Sequence, residues 1–433
     1  MSERRRLAIR GDLLDLVDDP GFGAVDTPAV RFDADAWLLV EDGRIVGRSR
    51  SDPGDGWQRV DHRGRLVTPG FVDTHVHMPQ LDVIASYGTE LLDWLNTYTF
   101  PAEARYADAE VSRAGAERFV AALLAHGTTA AVVFPTVHKV SADALFGAAQ
   151  SRGMRVIAGK VLMDRHAPDF LTDDVAGAER DCVDGIERWH GRDRLAYALT
   201  VRFAPTSTPA QLDMAGRLLR SYPGLYMQTH VAENRAEVAW VAELFPQARS
   251  YLDVYHRHGL LDQRSVLAHG IWLDDADRAL LAATGAQIAH SPTSNLFLGS
   301  GLIGWAALDA AGAAVTLASD VGGGTSLAMQ RTMAAAYRIQ ALQGVRLTAW
   351  KALYAATRGA ARALRLDDEI GSLEPGRVAD LAVWDWAVGP VATHRDALAR
   401  TLHERVFAWM VLGDERNLAA TYVAGRLQHP RAG

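Results

Sequence analysis

The sequence predicts an α/β protein in which a (β/α)₈ TIM barrel is combined with a small β-sandwich. Three observations lead to this fold class. Eight short apolar runs follow one another, helical segments separate them, and both ends of the chain are rich in strands. The chain has 433 residues, of which 48% are hydrophobic and 22% charged, so it can bury a large core.

The barrel strands are predicted from runs that begin near residue 68 and end near residue 324. In order they read TPGFVDTHVH, GTTAAVVFPTVH, MRVIAGKVLMD, LAYALTVRFAP, LYMQTHVAEN, SVLAHGIWL, AQIAHSPTSN and AVTLASDVGGG. Segments between them, such as DAEVSRAGAERFVAALLAHG and PAQLDMAGRLLRSY, carry apolar residues at helical spacing. We assign residues 67–372 to the barrel and expect its active site at the C-terminal ends of the strands.

The two ends of the chain are predicted to form the sandwich, 1–66 supplying its N-terminal part and 373–433 its C-terminal part. The stretch AWLLVEDGRIVGRS reads as two strands around an Asp42-Gly43 turn. Strand patterns return late in the chain with GRVADLAVWD and NLAATYVAGRLQ. No internal repeat or low-complexity segment interrupts this organisation.

Composition limits the partners and the kinds of site. A net charge of −7 argues against nucleic acid as a partner. The opening MSERRRLAIRGDLL lacks a long apolar stretch, so we expect neither a secretory signal nor a membrane partner. Cys182 is the only cysteine, which excludes an intrachain disulfide and a thiolate cluster and favours the cytoplasm. Any metal must then be bound by His, Asp or Glu.

Histidines and one aspartate mark the ends of several predicted strands. His75 and His77 close the first run, and positions i and i+2 of a strand point to the same face. His230 ends strand five, His269 strand six and Asp320 strand eight, and a barrel brings such ends into one ring. Any single histidine is more often structural, but imidazoles and a carboxylate together are suitable ligands for zinc.

Glu233 follows His230 by three residues in THVAEN. On a continuous strand its side chain would point away from that histidine. If the strand ends at the histidine and the chain turns, the carboxylate can reach over the metal and carry a proton. The alternative is an exposed glutamate in a loop.

Several stretches between residues 69 and 327 resemble the amidohydrolase superfamily and, within it, the guanine deaminases. They are PGFVDTHVHMPQ, LLDWLNTYTFPAE, GKVLMDRHAPDFL, RFAPTS, THVAEN, LAHGIWL, HSPTSNLFLGSG and SDVGGGTSL. IGSLEPGRVADLAVWD extends the resemblance towards the C-terminus. PGFVDTHVH and the SD pair are generic to the superfamily, whereas LLDWLNTYTFPAE and HSPTSNLFLGSG are more specific.

The resemblance implies a hydrolase that acts on C–N bonds of cyclic amidines and converts guanine to xanthine and ammonia in purine catabolism. It implies one Zn²⁺ per chain, with the ligands His75, His77, His230 and Asp320. Binuclear relatives carry a carbamylated lysine at the end of strand four, and LAYALTVRFAP has no lysine there. A homodimer is usual in the family.

The same resemblance assigns roles in the reaction. The catalytic residues are Glu233, His269 and Asp320. The substrate-binding residues are His77, Gln80, Arg202, Phe203, His230, Glu233 and Asp320. The Gln80 amide can both donate and accept, Arg202 can donate to the guanine carbonyl O6, and Phe203 offers an aromatic face. The alternatives are a polar loop residue for Gln80 and a helix-facing salt bridge for Arg202.

Two other functions stay open at this point. One is deamination of another amino-substituted heterocycle, such as a triazine or a pterin. The other is a non-catalytic scaffold, although scaffolds derived from this superfamily typically lose metal ligands. His256 and His258 lie in a predicted helix, where i and i+2 diverge, so we expect neither to bind metal. Trp94 and Phe100 either cover the pocket or are ordinary packing.

Overall fold

A computed structural model describes residues 5–87 and 91–430. Residues 1–4 and 431–433, at the ends of the predicted sandwich segments, lie outside the described residues. The chain forms two compact units. The first contains residues 1–73, 121–130 and 328–433, and the second contains residues 74–120 and 131–327. The functional division at residues 66 and 372 stays a prediction.

The strands and helices follow one another along the chain as the sequence pattern predicts. The strands are β1 (Arg6–Leu16), β2 (Val30–Glu41), β3 (Arg44–Ser49), β4 (Gln58–Pro69), β5 (Phe71–His77), β6 (Thr128–Phe134), β7 (Arg155–Ala158), β8 (Val161–Leu162), β9 (Leu195–Val201), β10 (Tyr226–Val231), β11 (Ser265–His269), β12 (Gln287–His290), β13 (Val315–Leu317), β14 (Leu381–Asp385), β15 (Leu418–Val423) and β16 (Arg426–Pro430). The α-helices are α1 (Leu91–Trp94), α2 (Phe100–Ala104), α3 (Ala109–Ala125), α4 (Lys139–Arg152), α5 (Val175–Trp189), α6 (Pro209–Ser221), α7 (Arg235–Leu244), α8 (Tyr251–Arg257), α9 (Asp275–Thr284), α10 (Pro292–Phe297), α11 (Trp305–Ala310), α12 (Met329–Leu342), α13 (Ala349–Ala355), α14 (Arg358–Ala363), α15 (Pro390–Ala397) and α16 (Leu402–Leu412).

The first unit contains a seven-stranded sheet built from both ends of the chain. Its order is β16-β15-β14-β4-β1-β2-β3, and all neighbours are antiparallel except β1 and β4. N-terminal and C-terminal strands meet where Leu381 of β14 pairs with Pro69 of β4. The predicted association of the two ends is therefore confirmed.

Alternation of apolar residues gives this sheet its core. Ile9, Leu38, Val67 and Val383 come from four different strands, and each is fully buried in one cluster. Because side chains alternate between the two faces of a strand, apolar residues two positions apart can fill such a core together. At the predicted turn, residues 42 and 43 both have positive φ, 48° and 82°, as a two-residue hairpin connection requires.

The second sheet forms a nearly closed parallel barrel, as predicted. Its strands follow the order β13-β12-β11-β10-β9-β7-β6-β5, with β8 paired to β9, so each of the eight apolar runs supplies a strand. The first and last strands meet through Thr74, whose hydroxyl lies 2.8 Å from that of Thr316. Just beyond, the Asp320 N–H donates to the carbonyl oxygen of His75 at 2.9 Å. This closure brings the C-terminal ends of β5 and β13 together.

No helix in the described part of the chain combines the length and the apolar character that crossing a membrane requires.

Candidate active site

A group of buried imidazoles and one carboxylate occupies the C-terminal end of the barrel. One ligand atom from each of four side chains lies within 4.8 Å of the others, and these residues are His75, His230, His269 and Asp320. His77 also belongs to the group. Its Nε2 lies 3.1 Å from Nε2 of His75 and 3.2 Å from Nε2 of His230. It is also 3.3 Å from Oδ1 of Asp320.

The spacing of these atoms fits a single metal ion. Ligand atoms about 2.0–2.1 Å from a tetrahedral zinc are separated from each other by about 3.3–3.4 Å. Nε2 of His75 lies 3.1 Å from Oδ1 of Asp320, close to that separation. The contact of His269 with Asp320 is longer, 3.7 Å to Oδ2. The distances from His77 to its neighbours are shorter than the distance from His269 to Asp320. His77 therefore lies nearer the centre of the group than His269.

Hydrogen bonds on the far side of two rings leave their inner nitrogens able to bind a metal. Nδ1 of His230 lies 2.6 Å from the carbonyl oxygen of Arg202, to which it donates. Nδ1 of His269 lies 2.8 Å from Oδ1 of Asn295 and donates in the same way. A neutral imidazole that donates through Nδ1 keeps a lone pair on Nε2. Both lone pairs face the cluster.

Burial keeps the ligand candidates in the protonation states that metals need. Loss of solvent lowers the pKa of His77 to about 3 and that of His230 well below its usual value. Burial alone would raise the pKa of Asp320, but the charge of His75 and hydrogen bonds from His75 and His77 hold it well below the usual range. His77 and His230 are therefore neutral and Asp320 is ionised, which are the forms in which these side chains bind zinc.

Backbone turns at the strand ends aim these side chains inward. His269 has a φ of 73° and Asp320 a φ of 49°, both in the left-handed region. Non-glycine residues adopt this region at a cost in free energy, and such residues are concentrated at functional sites. The prediction that Asp320 ends strand eight needs a small correction. β13 stops at Leu317, and the aspartate follows three residues later in the loop.

Glu233 reaches the cluster because β10 ends at Val231. Ala232 turns the chain with a φ of 48°, and Glu233, only 3% exposed, points into the cavity. Its Oε2 lies 3.4 Å from Nε2 of His269, and its Oε1 accepts a 2.8 Å hydrogen bond from Ser300. Burial and the negative charge of Asp320 raise the pKa of Glu233 to about 8. At neutral pH this side chain carries a proton.

A second buried glutamate, absent from the sequence-based assignment, supports Glu233 from behind. Oε2 of Glu237 accepts from the backbone N–H of Glu233 at 3.0 Å and from that of Asn234 at 3.1 Å. Its Oε1 accepts from the Tyr251 hydroxyl at 2.6 Å. Burial, with the charge of Glu233, raises the pKa of Glu237 to about 7. The capping pattern Asn234-x-x-Glu237 at the start of α7 was a signal that could have identified it.

The cluster opens into a cavity that holds about 440 Å³ of space, part of it open to solvent. Its lining residues are His77, Gln80, Trp94, Leu95, Arg202, Phe203, His230, Glu233, Glu237, His269, Ser294, Leu298, Asp320 and Gly323. Every predicted substrate-binding residue is therefore in one cavity. Of the predicted metal ligands, His75 does not line it, although its Nε2 lies 3.1 Å from Nε2 of His77.

Polar partners fix the orientation of Gln80 and Arg202 at the cavity wall. Oε1 of Gln80 accepts from the Gly322 N–H at 3.3 Å. Its Nε2 lies 3.4 Å from Oε1 of Glu103, which also accepts from Nη1 of Arg202 at 2.7 Å. The Arg202–Glu103 ion pair is buried, with side-chain exposures of 4% and 0%. Arg202 thus makes the salt bridge to a helix that was considered as the alternative, with Glu103 of α2, and its side chain also lines the cavity.

The aromatic residues divide into two groups. Phe203 and Trp94 line the cavity, and Phe203 packs edge to face on Trp240 with 6.3 Å between ring centroids. Phe100 is buried in the cluster that contains Trp94 and does not line the cavity.

The second His-x-His pair does not line the cavity. His256 lies in α8 near Asp253, and His258 is the C-cap residue of that helix.

Three contacts were missed although their residues lie in stretches that the family resemblance marks as specific. Glu103 ends LLDWLNTYTFPAE, and Asn295 and Ser300 belong to HSPTSNLFLGSG. Each bonds a residue already assigned to the site, namely Arg202, His269 or Glu233. The specificity of those stretches was the available signal.

Similarities to known proteins extend over the whole of this architecture. The amidohydrolase family profile matches residues 66–427. The chain is 44% identical to the guanine deaminase of Escherichia coli (strain K12) over 432 residues, 98% of each protein. A solved structure of E. coli guanine deaminase matches with a TM-score of 0.94 and 43% identity, over 98% of this chain and 100% of that one. A guanine deaminase structure from C. acetobutylicum, with guanine bound in its active site, matches with a TM-score of 0.89 and 27% identity, over 98% and 100% of the two chains.

Proposed function

The chain belongs to the amidohydrolase family, and we propose that it hydrolyses guanine to xanthine and ammonia. One observation carries this proposal. Two carboxyl groups in the same cavity, Glu233 and Asp320, have pKa values shifted in opposite directions, the first to about 8 and the second well below its usual range. Groups whose environments separate their pKa values in this way are suited to act as acid and base in one reaction.

Guanine fits the polar groups of the cavity wall. It presents a carbonyl at C6, and a guanidinium has only donors, so Arg202 pairs with O6. The Gln80 amide, held by Gly322 and Glu103, can still offer a second N–H and a second lone pair to the base edge. Phe203 supplies an apolar surface for the planar ring. With Arg202 at O6, we expect the amino-bearing side of the purine to face the histidines.

The donor set fits one zinc ion per chain, held by His75, His77, His230 and Asp320. When bound, such an ion would lower the pKa of a water molecule to near neutrality and so supply the nucleophile. The remaining work falls to the protein. A new C2–O bond must form, the C2–N bond must break, and ammonia must leave with the protons it needs.

Proton movements follow from the positions of the carboxyl groups. Asp320 is ionised and accepts a proton from the attacking water, while His269 orients that water with its Nε2 between the two carboxyls. Glu233 is protonated at neutral pH and donates to ring N3, which relieves the negative charge that attack at C2 creates. Once ionised, Glu233 can take the proton of the new C2 hydroxyl and pass it to the amino group, so that the C2–N bond breaks, ammonia leaves and a C2 carbonyl forms. The proton held by Asp320 then restores Glu233. Proton transfer of this kind contributes about 10²–10⁴-fold to the rate.

The wider setting is part of the same proposal. We place the reaction in purine catabolism in the cytoplasm, carried out by a homodimer. Light scattering of the purified protein tests the dimer. Neither nucleic acid nor a membrane is needed by this chemistry, since the substrate is a small neutral base.

A substrate panel tests the activity. Purified protein is incubated with guanine, adenine, cytosine and ammeline, and ring absorbance and released ammonia are measured together with the metal content of the same sample. We expect turnover of guanine far above that of the other three. Preferred turnover of ammeline would instead assign the chain to triazine chemistry. No turnover of any compound by metal-loaded protein would favour a scaffold.

A further inference from the structure

We propose that Glu103 is a positioning residue that orients Arg202 and Gln80 and neutralises the charge of Arg202. It thereby favours binding of a neutral purine over binding of a purine anion. The inference rests on the proposed function and adds a specificity determinant to it. Glu103 lies in α2 and not on a barrel strand, so it comes from a segment outside the ring of strand ends.

Its contacts join the two side chains that face the base. Oε1 of Glu103 accepts from Nη1 of Arg202 at 2.7 Å, and Nε2 of Gln80 lies 3.4 Å from the same oxygen. The glutamate itself is fully buried, with 0% exposure, and it does not line the cavity. It therefore acts on a ligand only through its two neighbours.

The position of this carboxylate has an electrostatic consequence. A guanidinium buried alone would present a full positive charge to the cavity, since it cannot lose its proton. Paired with Glu103, it presents N–H donors while the pair as a whole is neutral. Opposite charges a few ångströms apart in a buried site interact strongly, so removal of the carboxylate exposes the cavity to the arginine's charge.

The second carboxylate oxygen strengthens this argument. Oε2 of Glu103 is buried and has no hydrogen-bond partner among the described residues. Leaving a buried oxygen unpaired costs stability, and packing alone does not require a charged group at this position. What the carboxylate provides in return is the ion pair with Arg202.

The reaction itself provides the ligands for a test. Guanine is neutral near pH 7, whereas its hydrolysis product xanthine, with carbonyls on both sides of a ring N–H, is more acidic and becomes an anion under mildly alkaline conditions. The contacts of Glu103 should hold Arg202 and Gln80 in place for guanine. Because Glu103 also neutralises the arginine, the site should not bind the anionic product strongly.

Glu103→Gln removes the charge and keeps the shape. We expect kcat/KM for guanine to fall about 30-fold or more, the usual consequence of breaking a buried charge pair. The inhibition constant for xanthine at alkaline pH, divided by KM for guanine, should fall about tenfold relative to wild type. Glu103→Asp keeps the charge and should restore most of that ratio. Glu110→Gln, which changes an exposed glutamate of α3, is the matched control.

A double variant separates positioning from general structural damage. Because Glu103 acts through Arg202, E103Q combined with R202M should lose little more activity than R202M alone. Additive losses, or an E103Q protein with an unchanged ratio of the two constants, would overturn the inference. If E103Q does not fold, E103D decides. Its KM for guanine and its inhibition constant for xanthine should rise together, so that their ratio stays near the wild-type value while kcat changes little. A fall in kcat alone contradicts positioning. Wild-type protein that does not turn over guanine would overturn the proposed function and this inference with it.

Discussion

Oε2 of Glu233 lies 3.4 Å from Nε2 of His269, and both atoms face the same buried cavity. Ser300 and the backbone contacts of Glu237 fix the glutamate, while Asn295 fixes the ring. Neither partner depends on the other for its position. Both side chains are thus held in place beside the cavity, as the proposed proton transfer from Glu233 requires.

Substitution of the proton carrier should separate catalysis from metal binding. Glu233→Gln keeps the shape and the hydrogen bond from Ser300 but removes the transferable proton. We expect about one zinc per chain, an unchanged fold, and turnover reduced by roughly 10²-fold or more. Elemental analysis and steady-state rates check this. Glu243→Gln, on an exposed position of the same helix, is the control. Loss of zinc in E233Q would make Glu233 a ligand and contradict its assignment.

Removal of a ligand should instead abolish both properties together. His77→Ala takes away the nitrogen that lies 3.1–3.3 Å from three other ligand candidates. Metal content and guanine turnover should fall in parallel, with zinc measured after exhaustive dialysis. His256→Ala serves as the control because that ring lies in a half-exposed position of α8. An H77A protein that retains a full complement of metal would contradict the ligand set.

Recognition of O6 should reside in Arg202. Arg202→Ala is expected to cost about 1.5–3 kcal/mol of transition-state stabilisation for guanine, the usual range for a charged hydrogen bond. It also leaves Glu103 unpaired, so thermal stability should fall as well. The comparison of kcat/KM for guanine and for 2-aminopurine, which lacks O6, isolates the contact. If wild type handles both equally well, the arginine does not read the carbonyl.

The sequence was sufficient for the architecture because hydrophobic periodicity specifies it. Each apolar run became a barrel strand, and the Asp42-Gly43 turn formed between β2 and β3. Strand periodicity also brought His75 and His77 to one face. The placement of Asp320 was less accurate, because the sequence pattern does not show that the strand ends three residues before the aspartate.

Partners supplied by loops and by other elements could not be predicted. Glu103 is 99 residues from Arg202 in the chain, and Ser300 is 67 residues from Glu233. Periodicity describes local structure and carries no information about such pairs. These pairs form because the nearly closed barrel brings loops from distant parts of the chain to one end of the fold.

The stability of metal-free protein should fall as pH rises from about 6.5 to 8.5. Glu233 and Glu237 have folded-state pKa values of about 8 and about 7, both above the usual 4.5. The advantage that a raised pKa gives the folded state is complete below pH 4.5, declines as pH rises above that value, and is lost by about pH 7 for Glu237 and about pH 8 for Glu233. The lowered pKa of His77 acts only below its usual value of 6.5, where falling pH favours unfolding.

Thermal denaturation of chelated protein across this pH range measures the effect. Glu237→Gln should reduce the slope, since it removes one of the two titrating groups, and Glu243→Gln should leave it unchanged. Added zinc should also reduce the slope because a nearby cation favours the ionised carboxylates. A stability that is constant or rises over this interval would show that these glutamates are ionised in the folded protein.

The most direct test of the account is guanine turnover measured as a function of metal bound per chain. Chelated protein is reconstituted with increasing zinc, and xanthine formation and bound metal are measured on each sample. We expect no turnover without metal, a linear increase, and a plateau at one ion per chain. Full turnover by metal-free protein, or a plateau only at two ions, would contradict a single-metal guanine hydrolase built on His75, His77, His230 and Asp320.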